Sequence, residues 1–214
     1  MVVNIIMYKH IIWDFDGTLF DTYPVMASVF QKKLIELNID ETVDEVMSYM
    51  KVSMTYAIDH YKEKYNIDDE FINDYIIKSE EEEFKYCKPF DGIYYICKII
   101  YNHGFKNYLY THRDISSIDF LKKFDLYKYF SDFITYEDRF KRKPDPEALN
   151  FLIKKHNIDL KEALMIGDRD IDVLSAKNAC IDSCFFSDKT QRSTLSNYNI
   201  DKFHDLLPII GIPL

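Results

Sequence analysis

The chain has 214 residues, enough for one core domain with a sizeable insert or for two small domains. A hydrophobic fraction of 47% and a charged fraction of 29% are ordinary globular values and exclude a disordered chain. Acidic residues outnumber basic ones by 36 to 27, giving a net charge of −9, which argues against a nucleic acid partner. A small anionic ligand stays compatible, because a bound cation and local lysines reverse the field inside a cleft.

The apolar start, Met1 to Met7, is short and is broken by Asn4, Lys9 and His10. It fits neither a signal peptide nor a membrane span, so a cytoplasmic protein with no membrane partner is expected. His10 to Asp14 then reads as a buried strand stopping at a tight Asp-Gly turn. From Thr22 to about Tyr86 the periodicity is helical. Pro24 suits a first helical turn, and Met26, Phe30, Leu34 and Leu37 recur on one face. Further helical segments fall near 43–64 and 69–86. Pro89-Phe-Asp-Gly92 is a turn cluster marking a boundary.

Beyond it, helix and strand alternate. Residues 93–102 read as helix, Tyr108 to Thr111 as strand, 115–123 as helix and Phe133 to Thr135 as a weak strand. Pro146 opens a helix with Asp145 as its N-cap. Ala163 to Ile166 is a strand, Ile171 to Ala179 a helix, and Ile181 to Phe186 a strand, with a short helix near 202–207. This alternation predicts an α/β fold, a Rossmann-like parallel sheet with helices on both faces, whose ligands bind beyond the carboxyl ends of the strands. The four cysteines, Cys87, Cys97, Cys180 and Cys184, have no metal-finger spacing and are expected as reduced core thiols.

Chemistry-bearing residues gather at the predicted strand ends. Asp14 closes the first strand and Asp16 lies in the turn beyond it. Two carboxylates so close repel each other and call for a hard cation. In that setting one carboxylate can attack phosphorus while its neighbour transfers protons. Gly17 lets the backbone approach closely, and with Thr18 it is a candidate substrate contact. Thr111 ends a second strand, where its hydroxyl can donate to a phosphate oxygen; His112 and Arg113 follow as candidate substrate contacts. Lys143, just before a helix start, can hold a phosphate and neutralise a nucleophile. Asp168 and Asp172 follow a further strand, where acidic side chains suit magnesium.

These segments, in this order, resemble the haloacid dehalogenase superfamily. Its first motif, Asp-x-Asp-Gly-Thr-Leu, is matched by Asp14 to Leu19, its second by Thr111, and its third by Lys143. Its fourth, Gly-Asp-x-x-x-Asp, is matched by Gly167, Asp168 and Asp172. The matches span residues 11 to 172. The resemblance implies Asp14 as nucleophile and magnesium ligand. Asp16 would be the general acid/base, binding metal through its backbone carbonyl. Thr111 and Lys143 would hold the phosphoryl group, Asp168 would ligate Mg2+ directly, and Asp172 would orient Lys143 or a metal-bound water.

A helical insert after the first motif resembles the cap of the phosphoglycolate-phosphatase-like branch. The implied division is a core of residues 1–21 and 87–214 with a helical cap of 22–86. Lys51, Ser53 and Tyr56 are candidate cap contacts. The expected activity is magnesium-dependent hydrolysis of a small phosphorylated metabolite through an aspartyl-phosphate. A phosphomutase of the β-phosphoglucomutase type is the nearer alternative. A 2-haloacid dehalogenase, whose relatives generally lack the second aspartate, and a phosphoacceptor receiver module, which has no such insert, stand further off. The sequence does not distinguish a monomer from a homodimer.

Overall fold

The computed structural model describes residues 7–213; the rest of the apolar start lies outside the described residues. The chain divides into two compact units. One comprises the residues up to Leu19 with those from Pro89 onward, the other Phe20–Lys88.

The first unit is built on a six-stranded sheet. Its strands are β1 (His10–Trp13), β2 (Lys106–Tyr110), β3 (Phe130–Ile134), β4 (Ala163–Gly167), β5 (Asp182–Phe186) and β6 (Tyr198–Ile200). Their order is β3-β2-β1-β4-β5-β6, and every pairing is parallel. β1 and β4 are apolar and buried almost throughout, as strands covered on both faces must be. Ile12, Tyr108 and Met165 belong to one buried cluster with Leu149 and Leu152. Their neighbours alternate to the other face, where the Trp13 ring lies 5.9 Å from that of Phe203.

The covering helices of this unit are α5 (Ile93–Asn102), α6 (Ser116–Lys123), α7 (Glu147–His156), α8 (Asp170–Asn178) and the short α9 (Leu206–Ile209). β1, β2 and β3 run outward in one direction, and the chain then returns past β1 to place β4 on its far side. The strand order therefore reverses between β1 and β4, and folds of this class bind ligands at the carboxyl ends of the strands flanking such a reversal.

The second unit holds the helices α1 (Tyr23–Glu36), α2 (Val43–Val52), α3 (Met54–Tyr65) and α4 (Asp69–Tyr86). They share a core of their own. The Phe30 ring lies 5.1 Å from Tyr61, 5.7 Å from Phe71 and 4.8 Å from Tyr75. The Thr42, Ser53 and Asp68 side chains each accept an amide at a helix start.

Several elements depart from the sequence expectation. The helical segment near 43–64 is two helices, because Ser53 is extended (φ −169°, ψ 156°), ending α2 and capping α3. On α1 the buried face runs through Tyr23, Ala27, Phe30 and Leu34, and Leu37 is exposed. Pro146, rather than Asp145, holds the N-cap position of α7, although Asp145 Oδ1 still accepts the Glu147 amide at 3.0 Å. β6 was not expected at all. Among the cysteines, Cys180 is exposed in the turn after α8, while Cys87, Cys97 and Cys184 are buried thiols.

Candidate active site

Sheet register sets the site. Trp13 pairs with Leu109 of β2 and with Ile166 of β4. The residues that follow therefore emerge together at the carboxyl edge: Asp14 from β1, Tyr110 and Thr111 from β2, Gly167 and Asp168 from β4. The Asp14 amide donates to the Ile166 carbonyl at 2.9 Å and so extends the ladder by one residue. The chain then turns through Gly17, whose φ of 76° lies in the left-handed region that glycine adopts without strain.

Lys143 reaches this edge from the loop before α7, with its side chain fully buried. Its Nζ donates to Asp14 Oδ1 at 2.5 Å and to the Tyr110 carbonyl at 2.9 Å, and it lies 2.7 Å from Asp172 Oδ1. The same ammonium sits 4.4 Å from the centroid of the Tyr110 ring. Asp172, on the first turn of α8, is fully buried, and its Oδ2 accepts the Arg169 amide at 3.2 Å. Asp172 packs so closely on β4 that a Cβ at Gly167 would lie 2.3 Å from its Cβ, which is why that strand ends in glycine. Asp14, Asp168 and Asp172 each offer a carboxylate oxygen within 4.8 Å of the others.

Charge accounts for the arrangement. Burial and the neighbouring Asp172 push the Asp14 carboxyl up to about 6, against the opposing pull of Lys143 and Arg169. Burial pulls the Lys143 ammonium down, but Asp14 and Asp172 outweigh it and hold the group above its ordinary value. Asp14 Oδ2 is buried without a hydrogen-bond partner. An unsatisfied carboxylate oxygen beside two further aspartates is a donor set that fits a hard divalent cation of the magnesium kind.

Thr111, Asp16, His112 and Arg113 surround this centre. Thr111 is buried, and its Oγ1 accepts the Arg113 amide at 3.0 Å, which leaves the hydroxyl hydrogen available to an anion. The Arg113 guanidinium pairs with Asp16, Nη2 to Oδ1 at 2.8 Å. His112 Nε2 accepts the Lys143 amide at 2.8 Å, so a neutral ring carries its proton on Nδ1. Burial, with Lys143, Arg142 and Arg169 nearby, pushes that imidazole down to about 2. Thr18 is buried in the Gly17 turn, its Oγ1 unpartnered. Thr111 and His112 also form part of the wall of a cavity of 530 Å³, together with Thr135, Arg139, Lys141 and Arg142.

The structure thus gathers Asp14, Lys143, Asp168 and Asp172 at one point, with Thr111 next along the chain from the Tyr110 carbonyl that Lys143 grips. Asp16 is tied to Arg113, and His112 to the backbone of Lys143. The candidate contacts in the helical unit have local roles: Ser53 caps α3 by accepting the Tyr56 amide, Lys51 lies 5.5 Å from the Tyr23 ring centroid, and Tyr56 is exposed. Sequence reasoning missed Tyr110, whose backbone carbonyl carries no residue signature. It also missed Arg169, although its place inside the fourth motif is itself a signal.

The sequence profile of the haloacid dehalogenase-like hydrolases matches residues 11–186, most of the chain. The chain belongs to this family. Phosphoglycolate phosphatase of Vibrio parahaemolyticus is 28% identical to it over 185 residues, covering 80% of each protein. Pyrophosphatase PpaX of Oceanobacillus iheyensis is 22% identical over 209 residues, covering 95% of this chain and 97% of that protein. The crystal structure of a hydrolase from Streptococcus pneumoniae TIGR4 matches with a TM-score of 0.67 at 28% identity, over 96% of this chain and 99% of that one.

Proposed function

We propose that this hydrolase is a phosphatase that hydrolyses a small phosphorylated metabolite, with Mg2+ as cofactor, by passing the phosphoryl group through Asp14. The observation that carries the reading is the Lys143 ammonium, 2.5 Å from Asp14 and 2.7 Å from Asp172, beside a buried Asp14 oxygen with no partner. An anionic nucleophile and an anionic phosphate repel each other. A buried ammonium at hydrogen-bond distance from the nucleophile lowers that barrier, in a dry setting where its charge is weakly screened.

In this reading Asp14 and Asp168, with the Asp16 carbonyl, hold the metal, and the bound ion supplies further charge neutralisation of the phosphate. An Asp14 oxygen forms a bond to phosphorus as the bond to the leaving oxygen breaks, and Asp16 gives that oxygen a proton. Asp16, now a carboxylate, takes a proton from water; the water oxygen bonds to phosphorus, the acyl phosphate bond breaks, and Asp14 is regenerated. Thr111 donates its hydroxyl hydrogen to a phosphoryl oxygen, and the turn at Gly17 and Thr18 lies against the group. Asp172 keeps Lys143 aimed. The relatives named for phosphoglycolate and pyrophosphate support a small phosphate compound as substrate.

The test is phosphate release across a panel of phosphometabolites, with and without chelator. At least one ester should turn over only with magnesium, and Asp14→Asn should abolish that turnover while the fold survives. Undiminished release in excess chelator, or an active Asn variant, would refute the assignment. A hexose bisphosphate in the panel exposes phosphoryl return to a sugar.

A further inference from the structure

The contact between Arg113 and Asp16 is built more firmly than a surface ion pair. The guanidinium meets the carboxylate side-on: Nη2 lies 2.8 Å from Oδ1, and Nε lies 3.2 Å from Oδ1 and 3.4 Å from Oδ2. Its Cζ lies over two aromatic rings, 5.4 Å from the centroid of Phe15 and 5.8 Å from that of Phe120, and those rings meet edge to face at 5.6 Å. The Arg113 side chain is 10% exposed and that of Asp16 21%. The backbone is fixed as well. The Arg113 amide donates to Thr111 Oγ1, and its carbonyl accepts the Tyr136 amide at 3.0 Å. An exposed, mobile pair contributes little to anything; here the arginine is locked at both ends, and one consequence is a fixed direction for the Asp16 carboxylate.

Asp16 stands where such a restraint matters. It lies two residues from Asp14, next to a centre that holds a buried ammonium and suits a divalent cation. A carboxylate free to rotate there is drawn toward either charge and takes up a ligand's position rather than a proton donor's. A planar fork with fixed donors offers a competing attraction on the β2 side, which a lysine, a point charge on a flexible stem, cannot reproduce. Resting on the reading of Asp16 as the acid and base of the reaction, we propose that Arg113 is a positioning residue that aims the Asp16 carboxylate for proton transfer.

The experiment is a kinetic double-mutant cycle on the full chain, with p-nitrophenyl phosphate as the probe. Its good leaving group keeps the slow Asp16 variants measurable. Arg113→Ala should lower kcat between about 10- and 100-fold, the scale of a misplaced catalytic group, with KM changed less than about threefold. Guanidinium ion added to the Ala variant should restore part of kcat and leave the wild type unaffected. In an Asp16→Asn background the same substitution should cost less than about threefold, because the group it acts through is already gone. Arg113→Lys, which keeps the charge and most of the packing, carries the same cycle if the Ala variant fails to fold, and it should recover little of the lost rate.

A raised KM with kcat intact would make Arg113 a substrate contact and overturn the proposal. So would an undiminished loss in the Asp16→Asn background, or no loss at all. A wild type that releases no phosphate from any ester in magnesium would overturn the catalytic reading, and the proposal with it. An active wild type indifferent to Arg113 overturns the proposal alone.

Discussion

His112 is a titratable ring used as a structural joint. Its Nε2 accepts the Lys143 amide, and that bond requires the neutral ring. In the unfolded chain the imidazole takes its proton near pH 6.5; in the folded chain burial and the surrounding cations delay this to about 2. Between those values the unfolded state binds one more proton, so this contribution to stability is complete above about pH 6.5 and is lost progressively as pH falls below it. The slope for one proton is at most about 1.4 kcal/mol per pH unit. The carboxylates held low in the fold, Asp69, Asp74, Asp132 and Glu41, titrate below their ordinary 3.8 for Asp and 4.5 for Glu and so lie mostly outside the upper part of this window. Below about pH 6 the raised Asp14 carboxyl takes up a proton in the folded state and opposes this fall, while the lowered His10 adds to it. Urea unfolding between pH 7 and 6 should therefore show stability falling, and His112→Gln, which keeps an acceptor but no titration, should reduce that slope; an equal slope in both proteins would remove His112 as a cause. The aspartates of the site were legible in the sequence because a carboxylate after an apolar run has few structural reasons to be there. The neutral state of His112 and the engagement of Arg113 with Asp16 were not. Both follow from which groups lie across from them, and spacing along the chain does not carry that.

Asn107 plays the corresponding part among the elements. It is fully buried on β2, where its Oδ1 accepts the Trp13 indole N–H at 2.9 Å. Its Nδ2 donates to the carbonyls of Cys97 on α5 and Tyr129 at the entry to β3, at 3.0 and 3.1 Å. One side chain thereby joins two strands, a helix and the turn into a third strand. The pairing of β2 with β3 shifts register directly after it, between Asn107 and Tyr108. Asn107→Leu keeps the branched shape and the number of side-chain heavy atoms, yet it leaves the Trp13 N–H buried without an acceptor and frees the turn at Tyr129. We expect a loss of about 2–4 kcal/mol in denaturant unfolding, with the sheet retained by circular dichroism; a change below about 0.5 kcal/mol would show the network to be dispensable. The same residue explains a boundary that sequence reasoning misplaced. Lys106 and Asn107 carry no strand signature, so the sequence pattern starts β2 at Tyr108, two residues late. β3, with Ser131 and Asp132 inside it, and β6, only Tyr-Asn-Ile, are similarly faint. They are the two outer strands, and outer strands need less apolar sequence than β1 and β4, whose unbroken runs were plain to read.

At the scale of the molecule, the acidic excess of the whole chain and the buried charges of the site pose one problem. Asp14 is ionised against the preference of its surroundings, which push its carboxyl up to about 6, and the like charge of Asp172 is part of the reason. The folded protein therefore holds carboxylates together at some cost in stability, and a cation that binds only the folded state offsets it by mass action. All three carboxylates, Asp14, Asp168 and Asp172, belong to the unit carrying the sheet, and the helical unit has a separate core. Magnesium at about 100 times its dissociation constant should stabilise the sheet unit by about 2.7 kcal/mol, a rise of roughly 5–10 °C in its Tm. If calorimetry resolves a second transition from the helical unit, that one should not move. Asp14→Asn should abolish the magnesium shift while leaving the metal-free protein at least as stable as the wild type, because it removes a charge that Asp172 and burial oppose. Two results would refute this. One is a magnesium shift that survives in the Asn variant, which places the ion elsewhere. The other is a metal-free variant that melts well below wild type, which makes the Asp14–Lys143 pair a support of the fold rather than a demand upon it.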